Sequence, residues 1–130
     1  MKLLYASLVI ILLFVSADSG DCIDNIAGFL KNGNTEELSK NFASTIQLTM
    51  MGDENVYSDV EAKTILANFF RQNPPQSVKI LHRICSSPQY RFAVIMLATG
   101  NGTYRTSFYL KNIQGKFELS EMRIEPAKTK

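Results

Sequence analysis

Arg91–Lys111, RFAVIMLATGNGTYRTSFYLK, sets two strand-like runs rich in Val, Ile, Phe, Tyr and Thr on either side of Gly100-Asn101-Gly102. Gly and Asn tolerate the positive φ angles of a tight turn, so the stretch predicts a β-hairpin. The first run, Phe92 to Ala98, has no polar residue, whereas the second alternates Thr, Arg and Ser with Tyr, Phe and Leu. A strand without a polar side is expected to be central and covered on both faces. Its register is open. A two-residue turn at Asn101-Gly102 puts Ala93, Ile95 and Leu97 on the face of Thr106 and Phe108; a three-residue turn that includes Gly100 puts Phe92, Val94 and Met96 there. In either register apolar side chains remain on the other face, each worth roughly 1.5–3 kcal/mol when buried, so something should cover it.

Working back from the hairpin, Ser77 to Cys85 alternates Val78, Ile80, His82 and Ile84 against Lys79, Leu81, Arg83 and Cys85, the period of a strand. Before it, Ser58-Asp59-Val60-Glu61 is a capping box. The stripe Ala62, Ile65, Leu66, Phe69 and Phe70 follows, and Asn73-Pro74-Pro75 ends the helix because proline lacks the donor. Phe69 and Phe70 are read as core on that spacing. Further back, Ile46, Leu48 and Met50 alternate with Thr45, Gln47 and Thr49 as a half-buried strand. Met51 to Asn55 is a turn and Val56-Tyr57 a short pairing segment. Ile23, Ile26, Ala27 and Leu30 form one helical stripe ended by Asn32-Gly33-Asn34, and Asn34 caps a short second helix through Leu38 and Phe42. Beyond the hairpin, Asn112–Gly115 turns the chain into Lys116–Glu125. There the apolar phase changes from Phe117 and Leu119 to Met122 and Ile124, the mark of a β-bulge and a bent sheet. The order is α, α, β, short β, α, then four strands in a meander. This predicts an α+β fold with helices on the concave side of a curved, mainly antiparallel sheet.

The 130 residues, 45% hydrophobic and 20% charged, suit one globular domain. The N-terminus has Lys2, an apolar run from Leu3 to Val15 and small residues Val15-Ser16-Ala17. This is the pattern of a secretory signal peptide over residues 1–17, cut before Asp18. The run falls short of the roughly 20 residues a membrane span needs, so no membrane attachment is expected after cleavage. Ser19-Gly20-Asp21 suits a lipid-attachment box before Cys22 poorly. The mature domain, 18–130 with a core of about 22–125, keeps 13 basic residues against 12 acidic. A charge near +1 implies no nucleic-acid surface. The expected location is periplasmic or secreted. In that compartment Cys22 and Cys85 either bridge, closing a loop worth on the order of 4 kcal/mol, or remain two buried thiols.

The order of elements resembles the cone-shaped fold shared by nuclear transport factor 2, ketosteroid isomerase and scytalone dehydratase. More narrowly, YSDVEAKTILANFF, the KILH run ending at His82, YRTSFYLK and the closing EMRIE resemble a family of small secreted domains of unknown function from Bacteroidetes bacteria. That resemblance spans Cys22 to Glu125. It implies a nuclear transport factor 2-like cone fold and an exported location, and it carries over no catalytic residue.

An isomerase of this kind needs a carboxylate in an apolar pocket with oxyanion donors opposite, and Glu118, Glu121 and Glu125 crowd the last strand without an apolar inward phase. A dehydratase needs a histidine oriented by an acid; His82 is the only histidine and has no identifiable partner. Nucleophile and zinc spacings are absent, so no cofactor or metal is expected. If the interior binds a ligand, His82, Tyr104 and Thr106 are the candidates. Lys79, Arg83, Arg105 and Arg123 read as a solvated basic face, and the sequon Asn101-Gly102-Thr103 as turn chemistry. Two function classes remain: a non-catalytic module binding itself or another protein through its sheet, and a binder of, or enzyme acting on, a small apolar molecule. The first is favoured. It takes the form of a homodimer packed sheet to sheet through the hairpin's first strand, with Ala93, Ile95 and Leu97 as interface residues.

Overall fold

The structure, a computed structural model, describes residues 22–128; the leader expected over residues 1–17 lies outside them. Helix α1 (Cys22–Asn32) buries the stripe foreseen for it, Ile23, Ile26, Ala27 and Leu30. It ends where Gly33 takes φ +64°, and Asn34 N–H reaches back to the Phe29 carbonyl at 2.8 Å while Gly33 N–H bonds Leu30. This αL ending needs glycine. A Cβ at Gly33 would also meet the Pro75 ring at 3.3 Å. Asn34 then caps α2 (Thr35–Ser39), its Oδ1 accepting from Glu37 N–H at 3.1 Å.

Strands β1 (Phe42–Met50) and β2 (Asp53–Ser58) form a hairpin that delivers the chain to α3 (Asp59–Gln72). The capping box is present in full. Ser58 Oγ accepts from Glu61 N–H at 3.2 Å and Glu61 Oε1 accepts from Ser58 N–H at 3.0 Å. Strands β3 (Pro75–Ile84), β4 (Tyr90–Thr99), β5 (Gly102–Ile113) and β6 (Lys116–Pro126) complete the chain.

The six strands form one curved sheet in the order β2-β1-β6-β5-β4-β3, antiparallel except where β1 lies parallel to β6. The fold is mixed α+β. The parallel pair joins two halves: a β1–β2 hairpin and the β3–β6 meander. Helix α1 lies on β3 and β4, α3 on β1 and β2, and α2 between the other two helices. All three cover one face, called inner below. Ile46, Leu48, Ala93, Ile95, Leu97, Phe108, Leu110, Leu119 and Ile124 from the sheet meet Ile23, Leu30, Leu38 and Leu66 from the helices, each at most 1% exposed. The phase change expected in the last strand is a bulge at Ser120, since Leu110 pairs with Leu119 but Tyr109 with Glu121.

Hairpin β4–β5 turns through the two residues Gly100 and Asn101, with Thr99 opposite Gly102. Thr99 Oγ1 fixes this loop by accepting from Asn101 N–H at 3.1 Å and donating to the Gly102 carbonyl at 2.8 Å. Gly102, at φ +137°, holds a conformation closed to other residues. The even loop places Ala93, Ile95 and Leu97 beside Thr106 and Phe108 on the inner face. The interface assigned to them from sequence is therefore corrected: all three are 0% exposed beneath the helices.

Candidate functional site

Two surfaces could carry function, the helix-covered inner face and the opposite face of the sheet. The inner face is packed with hydrocarbon and holds two of the three ligand candidates. Tyr104 and Thr106 stand two residues apart on β5. Tyr104 packs edge-on against Phe69, centroids 5.1 Å apart, and donates its hydroxyl to Asn73 Oδ1 at 3.0 Å. Asn73 Oδ1 also accepts from Asn101 Nδ2 at 3.2 Å, and Asn101 Nδ2 donates further to the Gln72 carbonyl. The asparagine of the sequon thus ties the hairpin tip to the end of α3. At the other end of β5, Arg91 lies over the Phe117 ring, 4.2 Å from its centroid.

Thr106 is 0% exposed and its Oγ1 has no hydrogen-bond partner among the described residues. An orphan hydroxyl in an apolar layer costs about 1–3 kcal/mol, so it is either a tolerated defect or a point for a ligand to satisfy. His82 does not join these two. A bulge in β3 between Ile80 and His82 sets His82 opposite Val94, so its exposed ring shares the outer face while Tyr104 and Thr106 point inward. The three candidates do not converge. Among the described residues, no cluster of three or more His, Cys, Asp and Glu side chains could hold a metal ion.

Cys22 and Cys85 are both half-buried against the same core. Between them, Asp24 and Arg83 form an ion pair at 2.9 Å that ties α1 to β3. Of the basic stripe, Arg83 is therefore engaged with α1 and Arg123 with Glu125 at 2.9 Å, while Lys79 and Arg105 lie on the outer face.

The outer face is ordered in rows by the strand pairings. One row runs Phe92, Tyr109, Glu121 and Gln47; the next runs Val94, Ser107, Arg123 and Thr49. The β4 side is apolar, with Phe92 and Met96 half-buried and Val94 6% exposed, and Tyr90 stacks on Tyr109 at 5.4 Å. The β6 side is charged. Between the two rows lies a depression of about 40 Å³, lined by Phe92, Ser107, Glu121, Arg123, Gln47 and Thr49. That volume has room for a few waters, whereas ligand pockets run to roughly 300 Å³ or more. Sequence reasoning missed Thr49, 3% exposed, and Ser107, because a small hydroxyl residue in a strand carries no signal beyond its alternation.

A family model described as a domain of unknown function, DUF4783, matches residues 23–125. The chain is similar to a DUF4783 protein from Bacteroides uniformis, with a TM-score of 0.80 and 22% identity over 84% of this chain and 100% of that one. Similarity to a second, from Bacteroides ovatus, gives 0.76 and 24% identity over 80% and 94%. An NTF2-like protein from Cytophaga hutchinsonii aligns at 0.62 with 9% identity over 82% and 93%, a likeness of fold. No functionally curated protein matches the chain.

Proposed function

The chain belongs to the DUF4783 family of domains of unknown function, and on that premise we propose that it is a non-catalytic binding and interaction module built on the nuclear transport factor 2-like cone. In this reading it is exported to the periplasm or beyond and works as a homodimer through the outer face of its sheet. One observation carries it: the inner face is closed by helices and core, while the outer face keeps Phe92, Val94 and Met96 with none of the described helices over them. A strand apolar on both faces needs two covers, and the described residues supply one. Sedimentation of the mature protein at rising concentration tests this. A self-associating species is expected, and a monomer at 100 µM or so, co-purifying with a small molecule in its interior, would overturn the reading.

Export is tested by sequencing the N-terminus of the protein recovered from the periplasm or medium, with Asp18 expected first. Thiol titration of that material under denaturing conditions decides whether Cys22 and Cys85 are bridged.

A second reading is favoured by one feature, the unpartnered Thr106 hydroxyl inside the cone two residues from Tyr104. On this reading the interior takes a small apolar molecule with one polar atom, as a carrier or as an isomerase- or dehydratase-like enzyme. Native mass spectrometry of the freshly purified protein would reveal the adduct, and Thr106→Val would release it.

A further inference from the structure

Resting on the homodimer reading above, we propose that the second copy docks with its two-fold axis running across the strands, between the Phe92–Tyr109–Glu121 row and the Val94–Ser107–Arg123 row. Area is the first argument. Six strands about 4.8 Å apart and about ten residues long at 3.3 Å give a face of roughly 800 Å². A standard stable interface buries about that area on each partner.

The distribution of side chains selects the axis. An axis parallel to the strands through the middle of the sheet, between β6 and β5, would lay apolar Phe92 and Val94 of β4 on Gln47 and Thr49 of β1, and would set Glu121 and Arg123 of β6 against Tyr109 and Ser107 of β5, taking both charges out of water with no opposite charge across the contact. An axis across the strands lays β4 on β4 and β6 on β6.

Placing it between the two rows makes each row face the other in the second copy. Tyr109 then meets the small Ser107, Phe92 meets Val94, and Glu121 meets Arg123, so that large residues sit on small ones and acid on base. The depression bounded by these two rows lies on the axis and receives the larger side chains. Sheets packed face to face cross at about 30°, which moves distant pairs apart but leaves those near the axis in place. Because the contact is isologous, the Glu121–Arg123 pair forms twice.

The test is a charge swap read by sedimentation. Glu121→Arg alone sets arginine against arginine, and Arg123→Glu alone sets acid against acid. Each is expected to weaken the dimer about ten-fold or more, and the double variant to return it to within about three-fold of wild type. Urea midpoints of all three, measured at concentrations where each is monomeric, should lie close to wild type, since both side chains are exposed and the Arg123–Glu125 pair lost in Arg123→Glu is a surface contact worth little. A dimer indifferent to the single swaps, or one that the double swap fails to restore, overturns this axis while leaving self-association intact. A wild-type chain that never associates removes both.

Discussion

Strand β4 has two faces of nearly equal hydrophobicity and opposite fates. Ala93, Ile95 and Leu97 are sealed on the face that α1 covers, whereas Phe92, Val94 and Met96 share their face with Arg105, Arg123 and Glu121. Hydrophobicity along a strand therefore says how many covers are needed and not what supplies them. Replacing one residue on each face separates the two cases. Ile95→Ala opens a cavity among fully buried neighbours and is expected to cost about 3 kcal/mol in urea unfolding, within the 2–5 seen for such truncations. Its effect on dimerisation should be secondary. A loss below about 1 kcal/mol would mean that the helices do not pack on β4 as described.

On the outer face, Phe92→Ala should reverse that order. Its side chain is half-buried on the face that none of the described helices covers, so the monomer is expected to lose about 1 kcal/mol or less. If the proposed dimer forms, its dissociation constant should rise about ten-fold, the effect of removing an aromatic anchor near an interface centre. Equal losses in stability for Ile95→Ala and Phe92→Ala, with association unchanged, would erase the distinction between the faces.

The inner face contains its own exception, and the next prediction sharpens it. Thr106→Val keeps the shape of the side chain and removes the orphan oxygen, so the apo protein is expected to gain up to about 1 kcal/mol. A comparable loss would show that the hydroxyl has a partner in solution, water or ligand, and would strengthen the second functional reading.

Local patterns carried most of the fold. The capping box at Ser58, the proline stop after Asn73 and the Ile23–Leu30 stripe act within a few residues, so each was readable where it stands. The β6 bulge was readable too, because a period-2 pattern changes phase visibly between Leu119 and Met122. What escaped depended on atoms or strands distant in sequence. Gly100, Asn101 and Gly102 each suit a turn, and the Thr99 hydroxyl decides the loop and hence which face Phe92 occupies. The parallel β1–β6 pairing joins segments some 70 residues apart and leaves no local mark. His82 was misplaced for a related reason: Val78, Ile80, His82 and Ile84 alternate without a break in sequence, yet the bulge after Ile80 turns His82 outward. Strand β2 runs through Asp53, Glu54 and Asn55, residues that read as a turn until β1 pairs with them.

The smallest expected effect belongs to a contact on neither face, the bridge from Lys63 on α3 to Glu36 on α2, 2.8 Å long. The Lys63 ammonium, by hydrogen bond and by charge, holds the Glu36 carboxyl below its ordinary value of 4.5. A carboxyl whose pKa is lowered on folding adds stability that is present above the unfolded value and is lost as pH falls through the folded one. The contribution is therefore complete at pH 7 and disappears on the acid side of 4.5. Yet Glu36 stands in water, where hydration and side-chain freedom offset most of the attraction. Lys63→Met should accordingly leave the thermal midpoint at pH 7 unchanged within error, while NMR titration shows the Glu36 carboxyl moving up toward its ordinary value. A midpoint that falls by several degrees would mean that α2 and α3 are joined by this charge pair. The expected result leaves that joining to Leu38 and Leu66, both 0% exposed and part of the same inner-face core as Ile95.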